Sequence, residues 1–200
     1  MLFVVSGPSG CGKTTLAGRT VTDLENIEFS VSHTTRPKRT GEKEGRDYYF
    51  TGEQEFREMI REGRMLEWAE VHGHLYGTSR REIKIKSFQG DVLLDIDIQG
   101  AAQVRKKVRE ACFVFILPPH YRELKRRLEQ RGSDDPDSIR RRMETAREEI
   151  GHYSDFDYIV VNDDLEKASV ELNAVITAAR CRLPVRQKEI TPILASFSQE

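Results

Sequence analysis

Apolar runs and amphipathic stretches alternate along most of the chain, and the alternation predicts a strand-then-helix rhythm. Residues 2–6 are apolar up to Ser6 and meet a turn-rich segment, as expected of a short strand buried on both faces. Residues 13–26 place Leu16, Val21 and Leu24 on a loose apolar face with Ala17 between them, which predicts a helix. Residues 27–32 alternate Ile27, Phe29 and Val31 with Glu28, Ser30 and Ser32, a second strand. It runs parallel to the first if the helix is a crossover. A polar run from residue 33 to 47 follows, long for a loop in a compact domain, and ends in Tyr48, Tyr49 and Phe50. Phe56, Met59 and Ile60 predict a short helix over 53–62, stopped by Gly63. Residues 65–71 and 75–76 read as strands around a turn at 72–74, and 79–86 as a weak helix.

Core character returns at residues 91–97, an apolar strand running into two carboxylates. Strand alternation predicts Asp95 and Asp97 on one side. A helix is expected over 101–109, then an apolar strand over 112–117 closed by Pro118 and Pro119. A basic helix over 121–130 carries Leu124 and Leu128 four residues apart. After a turn at 132–136, Pro136 suits the start of a helix that runs from about 138 to 153. A last strand is expected over 157–161 and a last helix over 165–182, ended by Pro184. Residues 185–200 show no usable pattern, and a tail without regular structure is expected there. There is no internal repeat.

These elements predict an α/β fold: an open parallel sheet with helices on both faces. The core is expected from residues 1–32, 83–129 and 151–184. An α+β insertion is expected over 33–82 and a charged, helical, mobile segment over 130–150.

The first turn carries chemistry. Gly7-Pro8-Ser9-Gly10-Cys11-Gly12-Lys13-Thr14 has the spacing G-x-x-x-x-G-K-T, between a predicted strand and a predicted helix. Glycines let successive N–H groups curl toward one anion, and the helix adds its positive end. Lys13 can reach terminal phosphates and the Thr14 hydroxyl can hold a magnesium ion. The segment reads as a nucleoside-triphosphate site of the P-loop NTPase type. Alone it does not say where the phosphoryl group goes.

Composition narrows the choices. Charged residues are 32% of the chain and balance to a formal net charge of -1, so no overall basic field points to a nucleic-acid partner. Cys11, Cys112 and Cys181 are far apart and odd in number, which fits a reducing compartment better than a disulfide framework. His33, His72 and His74 match no metal-ligand spacing. No leader-like run precedes the first strand and no apolar run approaches spanning length, so a cytoplasmic protein without membrane contact is expected. Self-association is left open.

Several further motifs occur in order: Ser30-Val31-Ser32-His33-Thr34-Thr35-Arg36, Arg39, Gly41-Glu42, Gly45-x-Asp47-Tyr48, Glu67-Trp68-Ala69, Tyr76-Gly77-Thr78, Leu94-Asp95-Ile96-Asp97-x-Gln99-Gly100 and Val161-Asn162-Asp163-Asp164. Together with the phosphate loop they resemble guanylate kinases from residue 3 to about 180. The chain departs from the family pattern where Pro37 precedes Lys38 between the two arginines, with the arginine spacing kept.

The resemblance implies transfer of a phosphoryl group from ATP to GMP, and to dGMP, with Mg2+. By resemblance, residues 33–82 are the nucleoside-monophosphate arm and 130–150 the lid. Arg36, Arg39, Tyr48 and Tyr76 would hold the acceptor phosphate; arginine forks pair bidentately with phosphate oxygens. Ser32, Glu67, Thr78 and Asp97 would read the base, carboxylates accepting guanine N1–H and N2–H and hydroxyls donating to O6. Gly7 to Thr14 would bind ATP, with Asn162 and Asp163 flanking the adenine. Arg131 and Arg142 would close from the lid, although arginines in runs such as 140–142 are commonly solvated. Thr14 and Asp95 would serve the metal, Asp95 through water. Two readings of other kinds remain at this stage, besides a kinase for a different small phosphate on a related fold, against which the paired carboxylates Glu67 and Asp97 argue. Asp97-Ile98-Gln99-Gly100 fits the D-x-x-G of GTP-hydrolysing switches, without an N-K-x-D downstream. A non-catalytic binding module of the same fold is the other, although such modules commonly lack a working phosphate loop.

Overall fold

The computed structural model describes residues 1–71, 73–130 and 136–197. In chain order the first elements are β1 (Leu2–Ser6), α1 (Lys13–Asp23), β2 (Ile27–Phe29), β3 (His33–Thr34), β4 (Tyr49–Phe50) and α2 (Glu53–Arg61). Next come β5 (Met65–Val71), β6 (His74–Ser79), α3 (Arg80–Ser87), β7 (Asp91–Asp95), α4 (Ile98–Lys107) and β8 (Cys112–Leu117). The chain continues with α5 (Tyr121–Gln130), α6 (Pro136–Ile150), β9 (Tyr158–Val161), α7 (Leu165–Arg180) and α8 (Leu183–Phe197).

Five strands form one sheet in the order β2-β7-β1-β8-β9, all parallel. The apolar runs of β1, β7 and β8 are continuous because both faces are covered. In β1, Phe3 and Val5 join a cluster with Leu16 and Ala17 of α1 and Leu172 and Ile176 of α7. Val4 points the other way, to Ala101 and Val104 of α4. Alternation along five residues thus recruits helices to both sides of the sheet. The connections after β1 lead to β2 and β7 on one side, while β8 and β9 lie on the other. The carboxyl end of β1 is therefore a topological switch point, where open α/β sheets place their ligands.

Residues 33–79 build a second, four-stranded sheet in the order β4-β3-β6-β5. Here β3 pairs parallel with β4, and β6 pairs antiparallel with β3 and β5. Phe56 and Met59 of α2 pack on Met65 and Leu75, a small core of its own. One buried carboxylate ties this sheet to the chain entering it. Glu82 accepts from Val31 N at 3.2 Å and from the Tyr49 hydroxyl at 3.3 Å. Its own N–H donates to Ser79 Oγ, the cap of α3.

Four expectations need correction. The strand predicted over 27–32 stops at Phe29, and His33–Thr34 belongs to the second sheet, because Val31 N turns to Glu82. The helix predicted from 101 starts at Ile98, because Asp97 caps it by accepting from Gly100 N at 2.7 Å. Asp97 is thus outside the strand, so its position owes nothing to strand alternation with Asp95. The tail expected over 185–200 is helical through Phe197. Pro184 lies in the first turn of α8, where the N–H it lacks has no helical partner anyway, so it begins a helix instead of ending the chain's order. The sequence pattern failed there because α8 buries no residue.

Leu172 is fully buried between α7 and the sheet and lines neither the phosphate-loop cavity nor the depression beside Asn162. Leu172→Ala should cost about 2–5 kcal/mol of stability, read as a lowered urea midpoint. Activity per folded molecule should stay at the parent level; a variant as stable as the parent would contradict this core assignment.

Candidate active site

The phosphate loop leaves β1 and returns as α1. Gly7, Gly10 and Gly12 all have positive φ. Gly12 is the strictest case: it caps α1 at φ 98° and ψ 16°, and a Cβ there would lie 2.3 Å from Asn162 Nδ2. Asn162, at the end of β9, donates through that nitrogen to Cys11 O at 2.7 Å. Arg127 of α5 donates to Asn162 O at 2.9 Å and to Cys11 O at 3.3 Å. The loop is thus braced from β9 and α5. Lys13 Nζ donates to Gly7 O at 2.7 Å and to Pro8 O at 3.2 Å. Burial alone pulls its ammonium down, but Cys11 when ionised, Asp95, Glu149 and Asp97 hold it above the ordinary lysine value. Thr14 Oγ1 donates to Asp95 Oδ2 at 2.5 Å. A hydroxyl beside a carboxylate at the loop's end is a donor set that suits a hard, oxygen-seeking cation.

One cavity joins this loop to the second sheet. Its walls include Gly7, Ser9, Gly10, Gly12, Lys13 and Thr14, with Ser32, Tyr48, Glu67, Tyr76, Asp95 and Asp97 opposite or beside them. Glu67 is 2% exposed. Burial pushes its carboxyl up to about 7; Thr78 opposes the shift and the charge of Asp97 adds to it. Thr78 is near enough to act, yet neither Glu67 Oε1 nor Thr78 Oγ1 completes a hydrogen bond among the described residues. Two buried polar atoms without partners, one acceptor and one hydroxyl, fit a polar ligand entering the cavity. Burial also raises Asp97, against Gly100 N and Lys13.

Tyr48 and Tyr76 stack edge to face at 5.9 Å between ring centroids. Burial, then Asp95 and Tyr76, push the Tyr48 hydroxyl up to about 12, against Arg36, so it stays a neutral donor. The Arg36 guanidinium lies 5.4 Å from the Tyr48 ring centroid and pairs with Glu42 Oε1 at 2.6 Å. Glu42 also accepts from Arg39 N at 2.8 Å, while the Arg39 side chain is exposed. Arg36 and Arg39 are outside the cavity wall; Arg36 reaches it through Tyr48. Asn162 and the exposed Asp163 line a second depression with Gly10, Gly12, Thr15 and Arg127. Arg142 of α6 donates to Ser9 Oγ at 2.7 Å, so it is not a solvated arginine. Arg131 lies outside the described residues.

Three side chains at the site escaped sequence reading. Glu149 of α6 lines the cavity and accepts from Ser9 N at 3.2 Å, a carboxylate held by an N–H of the anion-binding loop. Burial raises its pKa, opposed by Lys13. Arg127 sits in a basic run with no local mark separating it from Arg126. Glu82 had a signal: Ser79-x-x-Glu82 is a capping-box spacing.

The family model described as guanylate kinase matches residues 1–179. The chain belongs to the guanylate kinase family. It is 49% identical over 195 residues to the guanylate kinase of Alkalilimnicola ehrlichii, covering 97% of this chain and 94% of that one. It is 50% identical over 179 residues to that of Dechloromonas aromatica, covering 89% of each. Among solved structures, guanylate kinase from Anaplasma phagocytophilum superposes with a TM-score of 0.75 at 36% identity, covering 91% of this chain and 87% of that one. The fold is thus the phosphate-loop α/β fold expected from the sequence.

The raised Glu67 carboxyl has a consequence for stability. Unfolded, it titrates near its ordinary 4.5; folded, near 7. Between those values the folded state binds more protons, so Glu67 costs more stability as pH rises, and the cost levels off above about 7. Glu67→Gln removes the charge. Urea unfolding of the nucleotide-free protein should show the variant gaining on the parent from about pH 5 to 7 and holding that gain at higher pH. A gap that stays constant with pH would mean that Glu67 titrates normally.

Proposed function

We propose that the protein transfers the terminal phosphoryl group of ATP to GMP. The observation that carries the reading is one cavity lined by both a phosphate loop and the polar side chains of Ser32, Glu67 and Asp97, with Glu67 Oε1 and the neighbouring Thr78 Oγ1 buried and unpartnered among the described residues. Guanine supplies what those atoms lack. Its N1–H and N2–H groups donate to the carboxylates of Glu67 and Asp97, and its O6 accepts from Ser32 and Thr78. Adenine presents the opposite polarity at position six and has no 2-amino group, so it would leave buried groups unpaired. Such mismatches discriminate by about 10⁴-fold.

The acceptor phosphate needs no general base. Its second pKa is near ~6, so it is largely dianionic at neutral pH. The barrier is electrostatic, two anions brought into line, and the residues act by position and charge. Loop N–H groups and Lys13 hold the donor phosphates. Tyr48 and Tyr76 donate to the acceptor phosphate, with the Arg36 guanidinium behind Tyr48 and Arg39 at the rim. Thr14 and Asp95 would hold Mg2+, which would offset negative charge on the donor phosphates. Asn162 braces the loop, and with Asp163 it borders the depression for adenine. Arg142, already on Ser9, and Arg131 would close from α6 and the segment before it.

The proposed division of labour follows the chain. Residues 1–32, 83–129 and 151–184 are the rigid core, 33–82 the GMP arm and 130–150 the lid, whose closure keeps water from the transferring group. The deoxy substrate dGMP is accepted, since no proposed contact involves the 2′-hydroxyl. We place the enzyme in the cytoplasm. Its three thiols are free, and no helix among the described residues is long and apolar enough to cross a membrane. No nucleic-acid partner is proposed, given the net charge of -1.

A coupled assay of ADP release with GMP, dGMP, AMP and UMP tests the assignment. GMP and dGMP should both be used, and AMP and UMP should be slower by about 10³-fold or more. Comparable rates with AMP or UMP would refute guanine recognition. Lys13→Ala should lower kcat on the order of 10²–10³-fold, and parent-like turnover would remove the donor-site assignment.

A further inference from the structure

Glu67 stands on a sheet edge. In the order β4-β3-β6-β5, β5 is outermost and has β6 on one side only. A side chain of α4 takes the place of the missing neighbour. Gln103 Oε1 accepts from Trp68 N at 3.2 Å, and Gln103 Nε2 donates to Trp68 O at 2.5 Å. A donor and an acceptor offered together to one residue's backbone imitate what an adjacent strand provides. One helical turn on, Lys107 Nζ donates to Leu66 O. The two contacts fall on the residues immediately before and after Glu67.

The bracketed stretch is irregular. Pairing with β6 shifts register between Met65 and Glu67, a bulge at Leu66. Bulges re-aim the side chains beside them, and an unsupported bulge on a free edge has alternative positions. The same helix begins at Asp97, the other carboxylate of the polar wall, which caps it through Gly100 N. Gly100 packs so close to Glu67 that a Cβ there would fall 2.4 Å from Oε2. Helix α4 therefore carries one carboxylate and grips the strand that carries the other.

We propose that Gln103, seconded by Lys107, is a positioning residue for guanine selection: its amide holds the bulged edge of β5 so that Glu67 and Asp97 meet the base at a fixed separation. The inference rests on the reading of Glu67 as a base-contacting carboxylate.

Steady-state kinetics of Gln103→Met with GMP, IMP and ATP test it. Methionine keeps the chain length and packing but offers neither amide donor nor acceptor. KM for GMP should rise about tenfold with kcat largely kept and KM for ATP within about twofold of the parent. IMP lacks the 2-amino group and gains less from a well-placed carboxylate pair, so the preference for GMP over IMP should narrow. Parent-like kinetics would overturn the proposal, as would a loss shared equally by GMP and IMP or matched in KM for ATP, the signs of general loosening. Should Gln103→Met fail to fold, Lys107→Met at the exposed end of α4 carries the same test, with a rise in KM for GMP of about threefold. Glu67→Gln separates the two levels of the reading. If it retains the parent's KM for GMP and its preference over IMP, Glu67 does not read the base and the proposal falls with that assignment. If it loses both while Gln103→Met retains them, only the positioning role falls.

Discussion

One ammonium group balances a crowd of carboxylates. Asp95, Asp97 and Glu149 all act on Lys13 and hold its charge against burial. Burial in turn raises Asp97, Glu149 and Glu67, with Asp97 adding to the shift at Glu67. A site with this much latent negative charge is a difficult place to bring two phosphate-bearing molecules together. The balance explains why its cations are placed in layers. Lys13 is fixed at the loop, Arg36 is held behind Tyr48, and Arg142 arrives from another helix. It also fits Glu149 resting on Ser9 N, where Lys13 and Arg142 offset its burial and the loop offers N–H groups that want an anion.

The loop keeps its shape because neighbours far along the chain hold it. Asn162 and Arg127 grip the Cys11 carbonyl from β9 and α5, and the closeness of Asn162 to Gly12 leaves no room for a side chain. Preorganisation of this kind lets the N–H groups act on phosphate without rearranging. The second sheet is held by a different logic. It is small, with a core around Phe56, and depends on Glu82 at its entrance and α4 along its open edge. A phosphate loop braced from β9 and α5 thus shares its cavity with a sheet held at its entrance and along one edge.

Much of this is legible in the sequence. The strand, the glycine turn and Lys13-Thr14 are a local pattern, since neighbouring residues make the nest. Continuous apolar runs announced a sheet covered on both faces, and the linked motifs from Ser32 to Asn162 resembled one family throughout. The errors lie where partners are distant. Asp97 looked like a strand residue because its helix-capping bond to Gly100 leaves no trace in periodicity. Arg127 looked like Arg126 until Asn162 was beside it. Glu149 had no local sign, since its partner is 140 residues away. The tail looked structureless because α8 buries nothing and so has no apolar face to detect.

The sequence by itself determined the chemistry on offer: a phosphate cradle, the carboxylates Glu67, Asp95 and Asp97, and arginines on flanking segments. Residue type and short spacing are enough for that, because each group's chemistry is intrinsic or made with its neighbours. Only the tertiary structure decided which groups share a cavity, which carboxyls burial pushes up, and which side chains hold others in place. Burial and electrostatic coupling depend on distance in space, and parallel strands connected through helices bring residues together across the whole length of the chain.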